Sequence, residues 1–169
     1  KTIFVGDTSV HEYPTSEQMA EIAISTARVV RLFGFEPKVA FVSHSTFGQP
    51  LTSRTKHIRN AVDLLKEKKV DFEFDGDMQP DVALNSEYEE LYPFSKIVGK
   101  ANILIMPGQH SAAISYKMMK TLGDTKVIGP LLIGIGLPIE IAPLRSSTSD
   151  LINLASIAAY SADIIDYKK

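Results

Sequence analysis

One short run does most to fix what this chain can fold into. Ile103-Leu104-Ile105-Met106 is apolar without alternation, and Pro107-Gly108 stops it. A strand with one buried face alternates, whereas a strand buried on both faces does not. The run therefore reads as a central strand of a parallel sheet. From Ser111 to Lys120 the apolar residues follow helical spacing, and Gly123 stands where such a helix would stop. In open α/β sheets, ligands bind where strands hand over to helices, at the carboxyl ends of the strands.

The rest of the chain repeats that alternation of strand and amphipathic helix. Thr2 to Val5 reads as a buried strand. Thr15 and Gln18 have capping-box spacing at the start of a helix that Gly34 ends. Lys38 to Ser43 is the next strand, followed by a long connector and a helix over roughly 53–68. Val70 to Phe74 alternates, as a strand near a sheet edge would, and Asp75-Gly76-Asp77 closes it. Pro80 to Leu84 and Glu87 to Leu91 read as short helical pieces. Val127-Ile128 and Leu131 to Gly134 read as extended, and Ile139 to Ile141 as one more strand. A final helix is expected from Thr148 to about Tyr167, burying Leu151, Ile152, Leu154, Ala155, Ala158 and Ala159. Such alternation specifies βα units, an α/β fold and a mainly parallel sheet.

Bulk properties exclude several functions. The 169 residues suit one domain of ordinary size. A net charge of −2, with both signs interspersed, offers nucleic acid or an anionic membrane no electrostatic reason to bind. Without cysteine there is no disulfide, zinc-thiolate site or thiol nucleophile, which fits a cytoplasmic protein. The longest apolar tract, Val127 to Leu144, is broken by Gly129-Pro130, Gly134, Gly136, Pro138 and Pro143, and carries Glu140. No membrane helix is expected there. No signal peptide is visible, and a start at Lys1 inside a strand pattern suggests an upstream part.

Four clusters can carry chemistry. Ser43-His44-Ser45-Thr46-Phe47-Gly48 joins a strand to a helix and is rich in hydroxyls. Its hydroxyls and N–H groups can hold a phosphate, although it lacks the Gly-Lys-Ser/Thr of a Walker loop. An ordinary polar connector reads equally well. Asp75-Gly76-Asp77 offers two carboxylates, but no metal-ligand spacing accompanies them and Asp-Gly is common turn chemistry, so the turn reading is preferred. His110-Ser111 sits at the sheet edge, with Ser111 as a helix N-cap. The strained Gly-x-Ser-x-Gly elbow of a hydrolase is absent. Ser146 to Asp150 leads into the last helix, where Ser147 or Thr148 can cap and Asp150 favours the helix dipole. His11 and His57 belong to no pattern, and no metal site is expected.

Several long motifs occur in one order. They are Pro14 to Ala23, Ser43 to Gly48, Phe74 to Leu84, Ala101 to Pro107, Val127 to Gly134 and Ser149 to Asn153. Together, over essentially the whole length, they resemble the phosphate acetyl/butyryltransferase family. The resemblance implies a three-layer α/β fold with helices on both faces of the sheet. It also implies acyl transfer between coenzyme A and phosphate without a metal. The whole of 1–169 would be the second subdomain with its C-terminal helix, the subdomain that completes the cleft lying upstream. Dimerisation through this half is implied as well.

The resemblance also separates two branches. Active transferases carry Ser-Arg-Gly shortly before an Asp-Asp-Ile-Val element, and that arginine and the second aspartate are catalytic. Here Asp150 matches the aspartate, Pro143 stands for the serine and Leu144 for the arginine, with Arg145 one place later. The other branch is the transferase-like C-terminal region of bacterial NADP-dependent malic enzymes. Ser-His-Ser, Ile-Met-Pro and His-Ser-Ala-Ala-Ile-Ser, as found here, favour it. That branch implies a regulatory unit responding to acetyl-CoA, inhibition being the implied sign. NADP and a divalent metal would serve malate oxidation in another region. Acyl transfer needs a cation on the tetrahedral oxyanion, and Leu144 supplies none. The expected ligand residues are Ser43, His44, Ser45, Thr46, Gly48, His110, Ser111, Arg145 and Asp150, with no confident catalytic residue. The alternative is an active phosphate acetyltransferase.

Overall fold

The structure, a computed structural model, describes residues 1–164. They form two compact units, the first spanning 1–115 and the second beginning at Tyr116. The first holds a four-stranded, wholly parallel sheet of β1 (Phe4–Gly6), β2 (Lys38–Val42), β3 (Glu73–Met78) and β4 (Ile103–Ile105), in the order β1-β4-β2-β3. β4 is the non-alternating run, and it lies between β1 and β2 with all three residues buried, as its lack of alternation requires.

Residues of opposite parity along the strands feed two cores, one on each face of the sheet. Val39, Phe41, Phe74, Ile103 and Ile105 pack with α1 (Ser16–Leu32) and α2 (Ser53–Glu67). Ala40, Val42, Met78, Leu104 and Met106 pack on the other face with Ala83 of α3 (Pro80–Leu84) and Ala112 of α4 (Gln109–Leu122). These are three layers. Both long helices begin as the chain predicts. Thr15 accepts the Gln18 N–H while the Gln18 side chain accepts the Thr15 N–H, and Thr52 and Thr55 repeat the arrangement on α2. Gly34, at φ +80°, follows α1 in the left-handed conformation that an L side chain resists.

Three boundaries differ from the sequence expectation. The edge strand begins at Glu73 and continues to Met78, so Asp75-Gly76-Asp77 lies inside β3 rather than in a turn after it. Gly76 is needed there because a Cβ would stand 2.7 Å from the Phe41 Cβ and 2.8 Å from the Phe41 carbonyl. Helix α4 starts at Gln109, which puts Ser111 within its first turn rather than at the cap. The Glu87–Leu91 piece is a single 3₁₀ turn over Ser86–Glu89.

The second unit contains the later part of α4, an irregular stretch, and α5 (Thr148–Ile164). No strand forms at Ile139–Ile141. The Ile139 N–H turns back onto the Leu137 carbonyl, and the Glu140 carboxylate accepts the Leu132 N–H at 3.0 Å. Of the residues expected to be buried on α5, Leu154 is, Ala158 is half-buried, and Leu151, Ile152, Ala155 and Ala159 are exposed. The stretch 165–167 expected to extend this helix lies outside the described residues. No helix among the described residues is long and apolar enough to cross a membrane.

Candidate functional site

All four strands run parallel, so their carboxyl ends share one edge of the sheet, where the ligand side of such a fold lies. The connector after β2 is built around a carboxylate from β3. Asp77 has no exposed surface. It accepts the Gly48 N–H at 3.0 Å and the hydroxyl proton of Ser45, itself fully buried. The Phe47 N–H meets the Asp77 carbonyl at 2.6 Å, and the Ser43 N–H meets the Met78 carbonyl at 2.9 Å. Thr46 and Gln49 exchange backbone bonds of 3.3 and 3.1 Å, and the Thr46 hydroxyl accepts the Gln79 N–H at 3.2 Å. An N–H that already donates inside the loop is not free to hold a ligand. The amides of Ser43, Thr46, Phe47, Gly48 and Gln49 are therefore occupied, and their order comes from Asp77.

Asp75 plays a similar part nearer the edge of the sheet. Its carboxylate accepts the Lys96 N–H at 2.8 Å and its neighbour Gly76 N–H at 2.9 Å, fastening the segment that leads into β4. Both buried aspartates were missed as site organisers because Asp-Gly-Asp matches turn chemistry. The period-two series Phe72, Phe74, Gly76, Met78 carries the strand signal through them.

After β1, Asp7 takes a positive φ of 48° and turns its carboxylate back onto its own loop. It accepts the N–H groups of Ser9, Val10 and His11 and lies 2.5 Å from the His11 Nδ1. A carboxylate here can only accept, so Nδ1 carries a proton and the neutral ring presents Nε2 as a lone pair. The same loop touches the turn after β4. The Gln109 N–H donates to the Glu12 carbonyl at 3.2 Å, and a Cβ on Gly108 would meet that oxygen at 2.7 Å. His44 and His110 are exposed on the neighbouring strand ends. Among the described residues, no group of three or more His, Asp or Glu is placed to hold a metal ion.

Of the residues expected to bind ligand, Ser43, Ser45, Thr46 and Gly48 are buried, His44 and His110 exposed, and Ser111 half-buried, all in the first unit. Arg145 and Asp150 belong to the second. There Ser147 caps α5: the Asp150 N–H donates to its hydroxyl oxygen at 3.2 Å, and the Asp150 carboxylate accepts the Ser147 N–H at 2.9 Å and its hydroxyl at 2.8 Å. The Ser147 N–H, then its hydroxyl, and then Lys120 and Lys126, hold the Asp150 carboxyl below its ordinary range against a small opposing effect of desolvation. Leu144 is fully exposed.

These features define a three-layer parallel α/β domain whose strand-end loops are organised by buried aspartates. The chain belongs to the phosphate acetyl/butaryl transferase family, whose pattern matches residues 1–159. It is 49% identical over 162 residues to an NADP-dependent malic enzyme of Rhizobium meliloti, covering 96% of this chain and 21% of that protein. It is 35% identical over 162 residues to a phosphate acetyltransferase of Clostridium acetobutylicum, covering 95% of this chain and 49% of that one. A phosphotransacetylase structure from Streptococcus pyogenes superposes with a TM-score of 0.88 at 32% identity, over 94% of this chain and 49% of that one. The chain thus spans about a fifth of the malic enzyme and about half of the transferases.

Proposed function

We propose that this chain is the acetyl-CoA-responsive, transferase-like regulatory unit of a cytoplasmic NADP-dependent malic enzyme, and is itself non-catalytic. The observation that carries the reading is Leu144. An exposed aliphatic side chain stands where acyl transfer needs a cation beside the tetrahedral oxyanion. Asp150, the matching carboxylate, is engaged in capping its own helix. The 49% identity to a malic enzyme supports the same branch. In this reading NADP, a divalent metal and malate oxidation belong to the parent's other region, and acyl-CoA is the effector. An effector acts only by binding two states of the parent unequally.

A homodimer through this half is part of the proposal. In the second unit Met118, Leu122, Ile135, Leu137, Leu151 and Ile152 are all exposed, more apolar surface than a lone unit covers comfortably. The alternative, an active phosphate acetyltransferase, is favoured by one observation. Arg145 is exposed and makes no ion pair or side-chain hydrogen bond among the described residues, so its guanidinium is free to serve one position late. The test follows NADPH formation from malate by the full-length parent. The proposal expects acetyl-CoA to change the rate in the parent and to leave it unchanged once this unit is deleted. An acetyl-CoA response that survives the deletion overturns it.

A further inference from the structure

Three of the four histidines emerge at the carboxyl edge of the sheet, from three hydrogen-bonded neighbours. His11 follows β1, His110 follows β4 and His44 follows β2. Two inter-strand spacings separate the outer pair, about 10 Å, wider than one phosphate group. The loops themselves, 7–15, 43–52 and 106–111, contain no lysine or arginine. The connector after β2 spends most of its amides internally on Asp77, its neighbour Met78 and its own carbonyls. What remains to meet an anion along this edge is imidazole.

We propose that His11, His44 and His110 form a proton-dependent binding edge for a ligand carrying two or more phosphate groups, which the rings hold as imidazolium ions. This deepens the acyl-CoA reading and rests on it for the identity of the natural ligand. Imidazole changes charge between about pH 5 and 8, so such an edge is cationic in acid and neutral above that range. The charged groups that face it are few. Asp7 holds His11 by Nδ1, so that protonation converts its outward Nε2 from acceptor to donor. Glu12 follows in the same loop, its carbonyl tied to Gln109. Arg59 of α2 lies against Gly48, where a Cβ would be 2.5 Å from its Nη1, and supplies a fixed positive charge. His44 and His110 have no ion pair among the described residues. The absence of any three-residue metal cluster among the described residues fits rings spread along an edge rather than gathered on a point.

The direction of the effect is diagnostic. Phosphate esters lose their second proton at about pH 6, which by itself tightens binding to a cationic site as pH rises. Protons carried by the protein work the other way. The test is calorimetric titration of the full-length protein with inorganic pyrophosphate and, separately, acetyl-CoA at pH 6 and pH 8. We expect affinity for both to fall about tenfold or more at the higher pH. The variant H11Q/H44Q/H110Q should lose that dependence. H44K/H110K, which leaves the Asp7–His11 loop intact, should stay tight at pH 8. Equal affinity at both pH values in the wild type, or a triple variant that falls as steeply, overturns the proposal. If acetyl-CoA binds with no pH dependence, the edge is refuted while the acyl-CoA reading stands. If pyrophosphate behaves as expected and acetyl-CoA does not bind, the edge stands and the acyl-CoA reading fails.

Discussion

Replacing Asp77 with alanine should unfasten the connector after β2. The aspartate is fully buried, and two donors converge on its carboxylate: the Gly48 N–H at 3.0 Å and the buried Ser45 hydroxyl. Alanine leaves both without an acceptor and opens a polar void. A buried polar group left unpaired costs roughly 1–3 kcal/mol, so the two together give about 2–5 kcal/mol. Asp77→Asn would retain one acceptor oxygen for the Gly48 N–H and should cost roughly 1–2 kcal/mol less than the alanine change. Urea unfolding followed by far-UV circular dichroism measures both variants. With a slope of about 2 kcal/mol/M, the alanine change lowers the midpoint by roughly 1–2.5 M. A shift below about 0.25 M would mean that water or a rearranged loop satisfies the donors, and the claim that Asp77 orders this edge would be wrong.

Gly76→Ala should destabilise by about 3 kcal/mol, at the upper end of overpacking, because the obstructing atoms include the Phe41 carbonyl rather than a movable side-chain tip; denaturant midpoints check it. Ser147→Ala should cost about 1 kcal/mol at the start of α5, read as lost helicity and lower stability. Asp150 gives a pH test. Its folded carboxyl ionises below the ordinary value of about 3.9, so its contribution is fully present above that value and is lost as pH falls through the lower folded one. The carboxyl resonance of Asp150 should therefore titrate below that of an unfolded-chain aspartate, and Ser147→Ala should move it back up.

Much of the fold was legible because its signals are local. The non-alternating run at Ile103–Ile105 specified a doubly buried strand, and the Thr15/Gln18 spacing specified a helix start to the residue. The errors share a cause. Asp75 and Asp77 look like turn residues until their partners are known, and those partners, Ser45, Gly48 and Lys96, lie 32, 29 and 21 residues away. The apolar residues of α5 were expected to be buried, and sequence period alone does not say whether the covering surface belongs to the same chain. His11 looked patternless because its meaning depends on Asp7 folding back at a positive φ and on the neighbouring strand ends carrying His110 and His44. The hydroxyl loop was read as an anion cradle or a connector; its groups turn inward because a buried carboxylate outcompetes solvent for them.

The central claim is that this unit recognises an acyl thioester without transferring its acyl group. The full-length protein incubated with acetyl-CoA and phosphate, with acetyl phosphate measured against time, tests it most directly. The account predicts no product above the uncatalysed background. Steady turnover at an ordinary enzymatic rate, on the order of 1 per second or faster, would contradict it and return Arg145 to the place assigned here to Leu144.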